Sequence, residues 1–103
     1  MYEYRATLVR VVDGDTVWLE VDLGFDIRRL DSFRLVGINA PEMNTAEGKA
    51  AREWLVARLP AVLMIRTVKD RREKYGRYLA TLYVDGTNVN EQMIEEGHAQ
   101  RYM

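Results

Sequence analysis

The chain opens with runs of alternating apolar and polar residues, the period-2 signature of strands with one buried face. In residues 4–12, Tyr4, Ala6, Leu8 and Val12 fall on one face. In residues 16–23, Val17, Leu19, Val21 and Leu23 oppose Trp18, Glu20 and Asp22. Asp13-Gly14 between the two runs is a hairpin signal. Residues 32–38 read as a third strand, with Arg34 in phase with Val36 and Ile38 and opposite Phe33 and Leu35. The period then changes. Thr45 can cap a helix running to about Leu59, stopped by Pro60, with Ala51, Trp54, Leu55 and Leu59 as its apolar stripe. Residues 61–68 and 77–84 are a fourth and a fifth strand, and Asp85-Gly86 marks the next turn. A short second helix begins near residues 88–90 and ends at Gly97; at about two turns it depends on packing of Val89, Met93 and Ile94.

Three strands, a helix, two strands and a helix suit a mainly β, α+β fold: a five-stranded barrel of OB type with two helices packed on it, which leaves few sheet edges exposed. The pattern equally allows an open α+β sheet. At 103 residues without repeats or a linker, residues 1–103 are expected to form one domain. There is no cysteine, which excludes a disulfide framework and a thiolate zinc site. Hydrophobic and charged contents of 48% and 30% are those of a soluble protein. No apolar run approaches the roughly 20 residues of a membrane span, and no basic start precedes an apolar core, so a cytoplasmic location without membrane contact is expected.

A net charge of −1 does not mark a protein that coats a polyanion, but the charge is uneven. Lys69, Arg71, Arg72, Lys74 and Arg77 concentrate positive charge in one short segment, which taken alone reads as a solvated loop. Other polar residues stand at strand ends. Asp13 serves the turn, whereas Asp15 is not required by it and is a candidate ligand for a hard cation. Arg34, within a strand, needs a partner such as Glu42 or Asp15. Asn39 and Glu42 flank Pro41, and Arg77 opens the fifth strand. His98, the only histidine, has no chemical role in this reading. Carboxylates for a metal, another carboxylate as base and two arginines for phosphate are parts suited to phosphoryl transfer.

Four stretches add specificity: residues 12–17 (VDGDTV), 33–42 (FRLVGINAPE), 74–80 (KYGRYLA) and 89–91 (VNE). In this order and spacing they resemble the staphylococcal nuclease (thermonuclease) family, over about residues 8–97. The resemblance implies an OB-fold barrel and Ca²⁺-dependent hydrolysis of phosphodiesters in DNA and RNA with little sequence specificity. It also implies roles for single residues. Asp15 looks like the carboxylate metal ligand, and Ala40 would offer its main-chain carbonyl. Arg34 and Arg77 look like the phosphate-binding arginines, and Glu42 like the general base. Tyr75 resembles a residue of the nucleotide pocket. Lys74 and Arg72 would follow the phosphate backbone, and Tyr78 offers a ring to stack on a base or pack in the barrel.

Two departures change the expectation. Asn39 stands where the family usually has a second metal-binding Asp, so the site keeps an oxygen but loses a charge. Cation binding should be weak, with Mn²⁺ or Mg²⁺ open beside Ca²⁺. Longer relatives carry a third helix beyond the point where this chain stops at Met103, so the surface it would cover stays bare, is reshaped or pairs with another subunit, and a homodimer is one expectation. The alternative function is a catalytically weak or inactive module that binds nucleic acid or protein through the same barrel.

Overall fold

The structure, a computed structural model, describes residues 2–72 and 76–102, with the backbone alone for 69–72. Strands β1 (Tyr2–Asp13), β2 (Thr16–Asp22) and β3 (Arg28–Leu35) form an antiparallel meander. A two-residue strand, β4 (Ile38–Asn39), and helix α1 (Ala46–Arg58) follow. Next come β5 (Val62–Arg72), β6 (Tyr78–Val84), β7 (Thr87–Asn88), helix α2 (Val89–Glu95) and β8 (Gln100–Arg101). The sheet order is β3-β2-β1-β5-β6-β7, and parallel pairing of β3 with β6 joins its ends. Five strands therefore close into the expected barrel, with two helices packed on it.

Ala6, Val17, Leu19, Val21, Phe33 and Leu35 of the first three strands point inward, together with Leu63 and Ile65 of β5 and Ala80 and Leu82 of β6. Ala51 and Leu55 of α1 and Val89 and Met93 of α2 join the same core. Thr45 caps α1, and its side chain accepts from the Gly48 amide. Asp85 and Gly86 both have positive φ, the backbone of a tight primed turn that matches strand twist. Among the described residues no helix is long and apolar enough to cross a membrane.

Four local readings change, each for a physical reason. Irregularities in the β1–β2 ladder, at Leu8/Arg10 and Val11/Asp13, flip the phase of β1, so Val11 rather than Val12 is buried. The first hairpin turns at Gly14-Asp15, not Asp13-Gly14, because Asp13 still pairs with Thr16. The third strand starts earlier, at Arg28, where its exposed polar residues carry no alternation signal but pair with the end of β2. It also ends earlier, at Leu35. Val36-Gly37 turns the chain, with Gly37 at φ 82°, so Ile38 returns to the core while Arg34 stays outside it.

Candidate active site

One end of the first hairpin, the end of β3, the segment after β4 and the start of β6 converge on a cleft of about 1080 Å³. Asp15, Arg34, Asn39, Ala40, Glu42 and Arg77 all line it. Six residues singled out from the sequence are thus brought together from four separate parts of the chain.

Asp15 sits here because the hairpin turns on it. The Asp13 side chain accepts from the Asp15 amide at 3.0 Å, an Asx turn that sets the bend. Gly14 is buried, and a Cβ there would lie 2.7 Å from the Ala40 Cβ and 3.0 Å from the Ala51 Cβ. Only glycine lets the turn approach α1 and the chain at Ala40 so closely. The Asp15 carboxylate then accepts from the Ala40 amide at 3.0 Å. The Asp15 carbonyl accepts from the Leu35 amide at 2.8 Å, binding the turn to the end of β3.

Arg34 is mostly covered, and its guanidinium knits the turn after β3. One terminal nitrogen donates to the carbonyls of Leu35 and Ile38, both at 3.0 Å. The other donates to the Asn39 side-chain oxygen at 3.2 Å and lies 3.7 Å from the Asp15 carboxylate. The partner expected for this mid-strand charge is therefore Asp15 rather than Glu42. Arg77 donates to the Thr16 hydroxyl at 2.8 Å, and that hydroxyl donates to Asp15 at 3.3 Å. Glu42 is exposed on the cleft wall, with its main chain held against the start of α1. The pKa of Asp13 is raised, first by burial and then by its hydrogen bond to and like charge with Asp15, partly offset by the Asp15 amide.

Tyr78 does not join the cleft. Its ring faces Phe33 at 6.0 Å and lies under the Arg29 guanidinium at 5.3 Å, at a separate cavity of about 150 Å³ in the barrel mouth. Lys74 and Tyr75 lie outside the described residues, as does the side chain of Arg72.

Residues lining the cleft carry oxygens of the kind a hard cation takes: the Asp15 carboxylate, the Asn39 amide oxygen, which already accepts from Arg34, and the Ala40 carbonyl. They are poor in charge, and no group of three acidic or histidine side chains gathers among the described residues. Three features were not legible beforehand. Thr16 links Arg77 to Asp15. Tyr102 lines the cleft with its ring 5.7 Å from the Arg34 guanidinium, held by pairing of β8 with β4. Asn90, buried in α2, bonds the turn after β3 and two sites on β6. The motif around Asn90 was visible, but its structural task was not.

A closed barrel whose cleft is lined by two arginines and three acidic residues, Asp13, Asp15 and Glu42, defines a class, and comparison with known proteins agrees with it. The family model described as staphylococcal nuclease homologue matches residues 32–103. The chain belongs to that family. It is 34% identical over 109 residues to Protein ParB of Escherichia coli, covering 97% of this chain and 58% of that protein. It is 32% identical over 109 residues to a micrococcal nuclease of Shigella flexneri, covering 97% and 59%. It is also 32% identical over 102 residues to the SPbeta prophage-derived endonuclease YokF of Bacillus subtilis strain 168, covering 91% and 33%. The chain thus spans about 58% of the first of these relatives and a smaller share of the last.

Proposed function

We propose that this chain is a divalent-cation-dependent nuclease that hydrolyses phosphodiester bonds in DNA and RNA with little sequence preference. The observation that carries this reading is the sharing of one cleft by Asp15, Arg34, Glu42 and Arg77. Relatives named as micrococcal nuclease and endonuclease support it. Arg34 and Arg77 bind non-bridging phosphate oxygens, where a planar guanidinium can make paired hydrogen bonds and offset charge that builds in the transition state. Glu42 takes a proton from water as its oxygen attacks phosphorus, the bond to the leaving sugar oxygen breaks, and solvent protonates that oxygen. Asp15, Asn39 and Ala40 would hold a cation of the Ca²⁺ type, which when bound supplies Lewis-acid polarisation of a phosphate oxygen. Contacts made to phosphate rather than to base edges are the reason for low specificity. The basic run at residues 69–77 supplies charge for the polyanion.

A second reading, a binding module with little or no catalysis, is favoured only by Asn39. Retention of Glu42 opposes it, since binding a phosphate needs no base. The test is incubation of the purified chain with plasmid, denatured DNA and RNA, in Ca²⁺ or in EDTA. Cleavage that EDTA abolishes, and that Glu42→Gln lowers by about 10²- to 10⁴-fold without loss of fold, is expected. Binding without cleavage in millimolar Ca²⁺, Mn²⁺ or Mg²⁺ would replace this reading with the module.

A further inference from the structure

Glu42 lies on a short step of chain, Pro41-Glu42, that rests directly on the first turn of α1. Its carbonyl accepts from the Thr45 amide at 3.0 Å and from the Thr45 hydroxyl at 2.6 Å. The same hydroxyl accepts from the Gly48 amide at 3.0 Å. Gly48 is buried, and a Cβ there would overlap the Glu42 carbonyl oxygen and lie 2.9 Å from the Pro41 carbonyl oxygen. These obstacles are main chain, so they cannot swing aside as a flexible side chain would.

The glycine is not explained by its backbone. Gly48 is inside α1 and has no positive φ, so alanine would suit the helix better, by about 0.5–1 kcal/mol. What alanine cannot do is let the Glu42 main chain sit where it does. Thr45 likewise does more than cap: its hydroxyl joins the helix start to the Glu42 carbonyl in one hydrogen-bonded link.

We propose that Gly48 and Thr45 are positioning residues that seat the Glu42 main chain on α1 and thereby set how far its carboxylate reaches into the cleft. The inference rests on the reading of Glu42 as the general base. Asp15 and Arg34 are tied to the end of β3 and the turn after it, and Asp15 also accepts from the Ala40 amide, whereas the Glu42 carbonyl is bonded to the start of α1, so the helix constrains Glu42 in a way that Asp15 and Arg34 do not share. A shift of about 1 Å between them is enough to cost about 10²-fold in rate.

The test is Gly48→Ala made in the wild-type chain and in Glu42→Gln, with kinetics and crystal structures of each. The expected structure shows the Glu42 main chain displaced by about 1 Å while Asp15 and Arg34 hold, as the overlap at Gly48 requires. The expected kinetics are a fall in kcat of at least about tenfold with KM changed less than about threefold, and no further fall in the Glu42→Gln background. Equal losses in both backgrounds, or an unmoved Glu42, would overturn the proposal. If Gly48→Ala fails to fold, Thr45→Val against Thr45→Ser decides in the same cycle. Only the serine, which keeps both hydrogen bonds, should retain kcat. A wild-type chain that does not cleave would remove the role of Glu42 as base, while the displacement seen by crystallography would still decide whether Gly48 seats it.

Discussion

Arg77 reaches Asp15 through one buried hydroxyl. Its guanidinium donates to Thr16 at 2.8 Å, and Thr16 donates to the Asp15 carboxylate at 3.3 Å. Thr16 is 5% exposed, so water is a poor substitute for either bond. Thr16→Val keeps the shape and removes the link. We expect kcat/KM on DNA to fall about tenfold, the scale of one lost hydrogen bond to a charged group. Thr16→Ser should restore most of it, and circular dichroism should show the fold unchanged in both.

Arg34 has a structural task and, in the proposed function, a phosphate to bind, and lysine cannot share both. Its guanidinium holds two carbonyls and the Asn39 amide oxygen while standing beside Asp15. A single ammonium cannot span those acceptors and also meet a phosphate. Arg34→Lys is therefore expected to lower kcat/KM by about 10²- to 10³-fold, near the cost of losing a preorganised donor. It should also lower the melting temperature, because the turn after β3 loses its ties. A variant with wild-type melting but impaired turnover would show that the structural task belongs elsewhere.

Asn39 sets the expected affinity for a cation. It keeps the oxygen that Arg34 bonds but lacks the charge of a carboxylate. Asn39→Asp adds that charge beside Asp15 and strengthens the bond to Arg34. Ca²⁺ binding by titration calorimetry should tighten by about tenfold or more, as charge count tunes such sites. The Ca²⁺ concentration giving half-maximal cleavage should fall in parallel. Unchanged binding would place the cation away from residue 39.

Asp13 shows how the same cluster affects stability. Its raised pKa, caused by burial and by Asp15, means that the folded chain binds this proton more tightly than the unfolded one. The stabilising effect is complete below the ordinary value of 3.8 and is lost as pH rises through the raised value. At neutral pH the ionised group is then a small burden. In EDTA, Asp13→Asn should raise the melting temperature by a few degrees at pH 7, since an amide oxygen can still accept from Asp15. The gain should vanish near pH 3. A loss of stability at both pH values would mean that the turn needs the charge itself.

The strands and helices were legible because alternation and turn residues act over short distances. Val17, Leu19 and Val21 face inward as their spacing requires, and Thr45 and Pro60 bracket α1. The closure of β3 on β6 was not legible, because parallel pairing of distant strands leaves no periodic mark. Bulges in β1 and the turn at Gly37 shift phase by backbone geometry that side-chain type hardly signals. At the site, residue types suggested a chemistry, and the resemblance suggested positions for it. Their support did not show: Thr16 read as a strand residue and Asn90 as part of a motif without a task, and Gly48 drew no reading at all.

Asn90 gives the sharpest test of that hidden support. It is 3% exposed and saturated with main-chain partners. Its amide nitrogen donates to the Val36 carbonyl at 2.9 Å and the Ala80 carbonyl at 3.1 Å, and its oxygen accepts from the Leu82 amide at 3.1 Å. Through Val36 it holds the turn that leads to Asn39, and through Ala80 and Leu82 it holds the strand that Arg77 precedes. Asn90→Ala would leave buried main-chain groups unpaired, at a cost of about 1–3 kcal/mol for a group fully cut off from water. The Ala80 carbonyl keeps the Val36 amide at 2.9 Å, so the Leu82 amide and the Val36 carbonyl carry the loss, which is expected to be about 2 kcal/mol or more, with a fall in melting temperature of about 10 °C. Asn90→Asp should be at least as damaging at neutral pH, because a carboxylate would face two carbonyl oxygens, and should recover in part when acid protonates it. Activity measured well below the new melting point should fall less steeply than stability, since on the cleft wall Asn90 touches only the Val36 main chain and none of the side chains proposed to act there. A variant that melts like the wild type would show that these bonds contribute little and that packing of α2 alone holds the turn in place.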